Sequence, residues 1–168
     1  MLGELERVSE GWQLRFTREL RHSPERVWRA LTEPQDLREW FPDTIVVPQE
    51  WRVGAKLEFK HEGVYAFDGE VLVFQPPRVL ELRWGTDLIR FEIQPRGSGS
   101  VLTLIDTIDE LGKAARDSAG WHVCLDRLEH ALDGTPAPSM ETAWPDLNKE
   151  YAKKFGRDAA TIGPPEGL

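Results

Sequence analysis

Residues 113–132 read KAARDSAGWHVCLDRLEHAL. Within this run Ala114, Ser118, Trp121, Leu125, Leu128 and Leu132 recur at spacings of four and three, which predicts a long amphipathic helix with one apolar stripe. Gly134 supplies its stop. Such a stripe must be buried against another surface, and the preceding chain offers one. The stretches 44–47, 55–61, 65–74, 78–84, 87–95 and 100–109 read as strands. Turn residues separate them: Glu62-Gly63, Pro76-Pro77, Gly85-Thr86 and Arg96-Gly97-Ser98-Gly99. Loops this short make antiparallel hairpins. Alternation places Leu80, Leu82 and Trp84 on one face, with Ile89, Phe91 and Ile93, then Leu102, Leu104 and Asp106, on the same face of the next strands.

Working outward, residues 12–20 form a further strand whose face carries Leu14, Phe16, Arg18 and Leu20. Ser23-Pro24-Glu25 then reads as an N-cap, a first helical position and an early acid. Val27, Trp28 and Leu31 mark the buried stripe of this short helix. A second start at Thr32-Glu33-Pro34 leads into Leu37, Trp40 and Phe41, and Pro42 ends that helix. A meander alone leaves two edges and one uncovered apolar face. Pairing the first strand with the last, and laying the long helix across the concave face, resolves this. A bent sheet gripping one helix leaves a gap near one helix end, walled by inward strand residues.

The runs SPERVWRALTEPQDLREWF (23–41), FDGEVLVFQPPRVLELRW (67–84) and GWHVCLDRLEHAL (120–132) together resemble the START-like (SRPBCC) superfamily. More narrowly, they resemble the family named after the C-terminal domain of the activator of the heat-shock-protein-90 ATPase, over about residues 12–134. The resemblance implies an α+β helix-grip fold. In it a curved seven-stranded antiparallel sheet, with two short helices between strands 1 and 2, wraps around a long C-terminal helix. Members include cochaperone domains, ligand carriers and enzymes of cyclase or hydrolase type, so fold alone does not choose a function. The 168 residues leave no room for the separate N-terminal domain of the eukaryotic activators, which ranks a cochaperone role below binding.

Residues 1–135 are thus expected to form the domain, and 136–168 a linker, a short amphipathic helix with Trp144, Leu147, Tyr151 and Phe155, and a frayed tail containing Pro164-Pro165. With 21 Lys and Arg against 29 Asp and Glu, the net charge of −8 opposes nucleic-acid binding and adsorption to anionic membranes. One cysteine, Cys124, makes no internal disulfide, and no run approaches the ~20 apolar residues of a membrane span. The reading is a cytoplasmic protein.

Seven Trp and seven Phe can fill a core or wall a pocket. Strand alternation and helix phase place Trp28, Trp40, Phe41, Phe59, Trp84, Phe91, Leu104, Trp121 and Leu125 around the interior. Arg18 and Asp106 fall on the same apolar face, where a charge needs a partner or a shifted pKa; they would orient a ligand's head group, or form a structural ion pair. Asp68 and Glu70 read as strand surface. His122, Asp126 and His130 at i, i+4 and i+8 read as a solvated helix face and not a metal site. Gly120, mid-helix, costs ~1 kcal/mol against Ala unless the sheet or a ligand approaches there. No catalytic residue, metal or cofactor is assigned. The expected partner is a small apolar or amphipathic molecule held noncatalytically. The alternatives are a cochaperone-type module acting on a chaperone and a START-like enzyme. Oligomeric state is open.

Overall fold

Capping chemistry fixes where the early helices begin. In the computed structural model, which describes residues 1–61 and 63–164, Ser23 Oγ accepts a hydrogen bond from the Arg26 backbone N–H at 3.2 Å. Pro24 opens α1 (Pro24–Thr32). Glu33 caps α2 (Pro34–Trp40) without a side-chain bond, and Pro42 lies just beyond the helix end. The two helices follow a long strand and precede a meander, as the spacing predicts.

The strands are β1 (Glu4–Val8), β2 (Gly11–Leu20), β3 (Thr44–Val46), β4 (Lys56–His61), β5 (Tyr65–Gln75), β6 (Val79–Trp84), β7 (Asp87–Arg96) and β8 (Gly99–Ile108). All pairs are antiparallel, in the order β1-β2-β8-β7-β6-β5-β4-β3. The expected pairing of the first long strand with the last is β2 with β8. The expected count of seven strands is corrected to eight, so the two short helices fall between strands 2 and 3. The extra strand, β1, hairpins onto β2 through Ser9 and Glu10. Its sequence, ELERV, is mostly charged because it lies at the sheet edge with most side chains toward solvent.

The long helix α3 (Ala114–Asp133) ends on Gly134 at φ 68°, the left-handed conformation a glycine stop needs. Leu14, Phe16, Leu82, Ile89, Phe91, Leu102 and Leu104 form the buried concave face beneath it, and Val123, Leu125 and Leu128 are buried from the helix side. Gly69 allows close packing here, since a Cβ at that position would collide with the Phe59 ring.

A fourth helix, α4 (Met140–Phe155), lies against the outer side of α3. Its Tyr151 hydroxyl accepts from the Gly3 backbone N–H at 2.8 Å and stands 2.9 Å from His122 Nδ1. The solvated face expected at His122 is therefore corrected: α4 covers it and His122 is buried. The frayed tail is also corrected as far as Ile162. Ala159 is buried, and the Ile162 N–H bonds to the Gly112 carbonyl at 3.1 Å. The expected turn residue Glu62 and tail residue Pro165 lie outside the described residues. Among the described residues, no helix is long and apolar enough to cross a membrane.

Candidate functional site

The gap between sheet and helix lies toward the N-terminal half of α3. There a cavity of about 380 Å³ is bounded by Asp117, Gly120, Trp121 and Arg127 of α3 and by Phe41, Pro42 and Asp43 after α2. His61, Tyr65, Trp84 and Asp87 from the sheet, Arg116, and Met140, Glu141 and Trp144 from the start of α4 complete the lining. Its size falls toward the lower end of the ~300–1,000 Å³ typical of small-molecule sites. Gly120 is the opening in the helix wall: a Cβ there would meet nothing within 4 Å. The sheet does not press on this glycine, so its absent side chain enlarges the cavity.

The nine residues expected around the interior divide in two. Phe41, Trp84 and Trp121 line the cavity and touch one another, with ring centroids at 6.3 Å for Phe41–Trp84, 5.7 Å for Phe41–Trp121 and 5.3 Å for Trp84–Trp121. Phe59 stacks on Phe41 from behind, and Trp40 packs edge-on between Phe41 and Phe91. Leu104 and Leu125 are buried core. Trp28 lies apart, on Phe74, which in turn stacks on Trp51.

Arg18 and Asp106 are not brought together. Arg18 stands opposite Leu102 and Asp106 opposite Leu14, four residues along neighbouring strands, or roughly 13 Å. The Arg18 guanidinium instead reaches α3, with Nη2 3.3 Å from Asp126 and Nε 3.0 Å from Glu129. Asp106 is fully buried and accepts one hydrogen bond, from the Trp121 indole N–H to Oδ2 at 2.8 Å. Its Oδ1 has no hydrogen-bond partner among the described residues.

Asp106 has two carboxylate neighbours that line the cavity. One oxygen from each of Asp87, Asp106 and Asp117 lies within 4.8 Å of the others. Lys113 Nζ donates to Asp87 Oδ1 at 2.7 Å and reaches Asp109 at 3.1 Å; Arg116 Nε donates to Asp117 Oδ1 at 2.7 Å. Burial, reinforced by the charges on Asp87 and Asp117, raises the Asp106 carboxyl well above the ordinary range despite the indole bond. Burial also raises Asp117 against the pull of Arg116, and Asp87 against that of Lys113. Burial thus disfavours the charged form of all three carboxyls, and a cation beside them would offset that cost. A second polar group has both oxygens engaged. Asp43 Oδ2 accepts from the Trp84 indole at 2.9 Å, and Oδ1 lies 3.0 Å from His61 Nδ1. Cys124 is buried, and its thiol is pushed up to about 12 by burial, so it is no nucleophile at neutral pH.

Asp87 and Asp117 were legible as cavity residues. Asp87 precedes Ile89, Phe91 and Ile93 at the strand period of two, and Asp117 precedes Trp121 by one helical turn. Asp43, His61 and Tyr65 carry no such signal, because they come from a loop after α2 and from the hairpin ends of β4 and β5.

Solved structures of the same fold include the conserved protein of unknown function EF2215 from Enterococcus faecalis. It is 21% identical with a TM-score of 0.79, over 91% of this chain and 90% of that one. CalU16 from Micromonospora echinospora is 20% identical with a TM-score of 0.70, over 94% and 100% of the two chains. The protein encoded by BPP1335 from Bordetella parapertussis is 25% identical with a TM-score of 0.69, over 90% of each. No curated protein matches the chain. The sequence profile of one family matches residues 21–133, more than half the length and the span from α1 to the end of α3. The chain therefore belongs to the family described as Activator of Hsp90 ATPase homolog 1-like protein.

Proposed function

We propose that this protein binds a small amphipathic molecule in the cavity beside Gly120, without catalysing its conversion. The observation that carries the reading is the cavity itself: a cleft of about 380 Å³, open to solvent on one side, between the sheet, α3 and the start of α4. Its walls suit such a guest. Phe41, Trp84, Trp121 and Trp144 give apolar area at ~25 cal/mol per Å² buried, and polar groups lie among them to orient a head group. Of the two charges expected to orient a ligand, Asp106 backs the cavity through Asp87 and Asp117, whereas Arg18 is held by α3. The family also takes its name from an activator of a chaperone ATPase. The cavity favours the ligand-binding reading over a surface that works only by contact.

The test is a thermal-shift screen with amphipathic aromatic compounds on the wild type and on Gly120→Leu. A cavity ligand at a hundred times its Kd should stabilise the wild type by about 2.7 kcal/mol. Gly120→Leu, which extends a side chain into open space, should fold and lose that response. A ligand that stabilises both proteins equally, or a broad panel that stabilises neither, would remove the proposal.

A further inference from the structure

The lining is not electrically balanced, and the imbalance selects a class of ligand. Around the carboxylate trio there are four acids, Asp87, Asp106, Asp117 and Asp109, and two bases, Lys113 and Arg116. Lys113 already holds Asp87 and Asp109 and Arg116 holds Asp117, whereas Asp106 Oδ1, wholly buried, has no hydrogen-bond partner among the described residues. A buried oxygen of this kind costs free energy until a proton or cation reaches its cluster. Asp87 and Asp117 expose this deficit to the cavity, and the indoles of Trp84, Trp121 and Trp144 line the same space. Indole faces attract cations, Trp most strongly of the aromatic side chains.

We propose, building on the binding reading above, that the ligand is an organic cation. A protonated amine on an apolar body would place its ammonium at Asp87 and Asp117, with Asp106 behind them, and its body among the three indoles. A divalent metal suits the place less well. It would bring a double charge beside the Lys113 ammonium and the Arg116 guanidinium, and the three indoles offer it no oxygen ligand. An acid suits it least: Arg116 on the lining is held by Asp117, and the Arg127 guanidinium donates from Nε to the Glu39 carbonyl at 3.1 Å. Arg127 lies ten residues beyond Asp117 on α3, about 15 Å along the helix.

The proposal has a proton balance. Burial favours the protonated form of all three carboxyls, and a bound ammonium favours their ionised form, so any proton the trio still holds leaves to solvent as the amine binds. Amine affinity should therefore rise with pH until the trio is fully ionised. The groups facing the trio are Lys113, Asp109 and Arg116. The other titratable groups on the lining are the Asp43–His61 pair, Tyr65 and Glu141.

The experiment is calorimetric titration of the intact protein with 4-phenylbutylamine, 4-phenylbutan-1-ol and 4-phenylbutyrate, each in two buffers of different ionisation enthalpy, and with Mg²⁺ alone. The amine should bind about tenfold more tightly than the alcohol, the carboxylate should bind most weakly, and amine binding alone should release protons. Asp117→Asn should narrow the amine-to-alcohol ratio. Should that variant fail to fold, the wild-type ranking decides by itself. An alcohol or carboxylate that matches the amine would overturn the cation assignment and leave cavity binding standing. Mg²⁺ that saturates the site and excludes the amine would overturn it in favour of a metal site. Failure of all three organic probes, together with a silent thermal-shift panel, would overturn both proposals.

Discussion

Two buried charges on one concave sheet face meet opposite fates. Arg18, with its side chain 10% exposed, is closed off by Asp126 and Glu129 of α3, each 37% exposed. Asp106, on the next strand, is fully buried behind the cavity-lining Asp87 and Asp117, and among the described residues it has one donor and one oxygen without a partner. Both were flagged by the same signal, a charge in an apolar alternation. What separates them is which end of α3 lies opposite. The C-terminal half brings carboxylates to the arginine. The N-terminal half brings Asp117 to an aspartate that already has Asp87 of β7 beside it, together with a glycine where a side chain would otherwise fill the gap. Charge that finds its complement within the fold is architecture. Charge that does not find it marks where a ligand or proton is needed.

The contrast can be broken most forcefully at Trp121, which both packs the cavity wall and supplies, among the described residues, the one side-chain hydrogen bond to the Asp106 carboxyl. Trp121→Ala should cost ~3–5 kcal/mol in urea unfolding. Trp121→Phe keeps most of the ring area and should cost ~1–3 kcal/mol, the loss of a donor to a buried acid. A Phe variant as stable as the wild type would mean that the indole bond does not matter.

At the other end, Arg18→Ala should cost about 1–2 kcal/mol, below the figure for a fully buried pair because Asp126 and Glu129 can turn to water. Ligand affinity should not change. A large change in affinity would join the two regions that the comparison separates.

Asp106→Asn sharpens the contrast through pH. The folded-state pKa of Asp106 is raised above its unfolded value, so its stabilising contribution is complete at acid pH, below the ordinary Asp range. It is lost as pH climbs from there through the raised value, by ~1.4 kcal/mol per unit of separation. Asn does not titrate and can still accept the indole bond. The stability of Asp106→Asn relative to the wild type should therefore rise with pH across that window. A difference that stays flat would show that Asp106 is not strained by ionisation. The smallest effect belongs to Gly120→Ala, which should add up to ~1 kcal/mol of helix stability, since its methyl group enters open space.

Much of this molecule was legible in its sequence. The long helix, the six-strand meander, the two early helices and the return of the first long strand to the last follow from period, caps and turn residues. The family follows from three spaced runs. The edge strand β1 was not legible, because a strand with solvent on most of its side chains has no hydrophobic period to read. His122 escaped for a related reason. Its neighbours on α3 are charged, and only α4, joined by a Pro-rich linker, makes that face an interior one. The cavity was half legible. Strand alternation and helix phase put Phe41, Trp84 and Trp121 in one group with Phe59, Phe91 and Leu104, and could not tell the three that line the cavity from the three that pack behind them. Periodicity reports which side a residue faces; volume depends on how far the layers stand apart.

The account turns on whether the empty end of α3 is where ligands go, and the tryptophans themselves can report it. Trp84, Trp121 and Trp144 line the cavity, whereas Trp12, Trp28 and Trp51 do not. Titration of 4-phenylbutylamine into ¹⁵N-labelled protein should move the indole N–H resonances of the first three and leave the second three in place. Shifts at Trp12, Trp28 or Trp51 with Trp84 and Trp121 unmoved would place binding elsewhere and contradict the account.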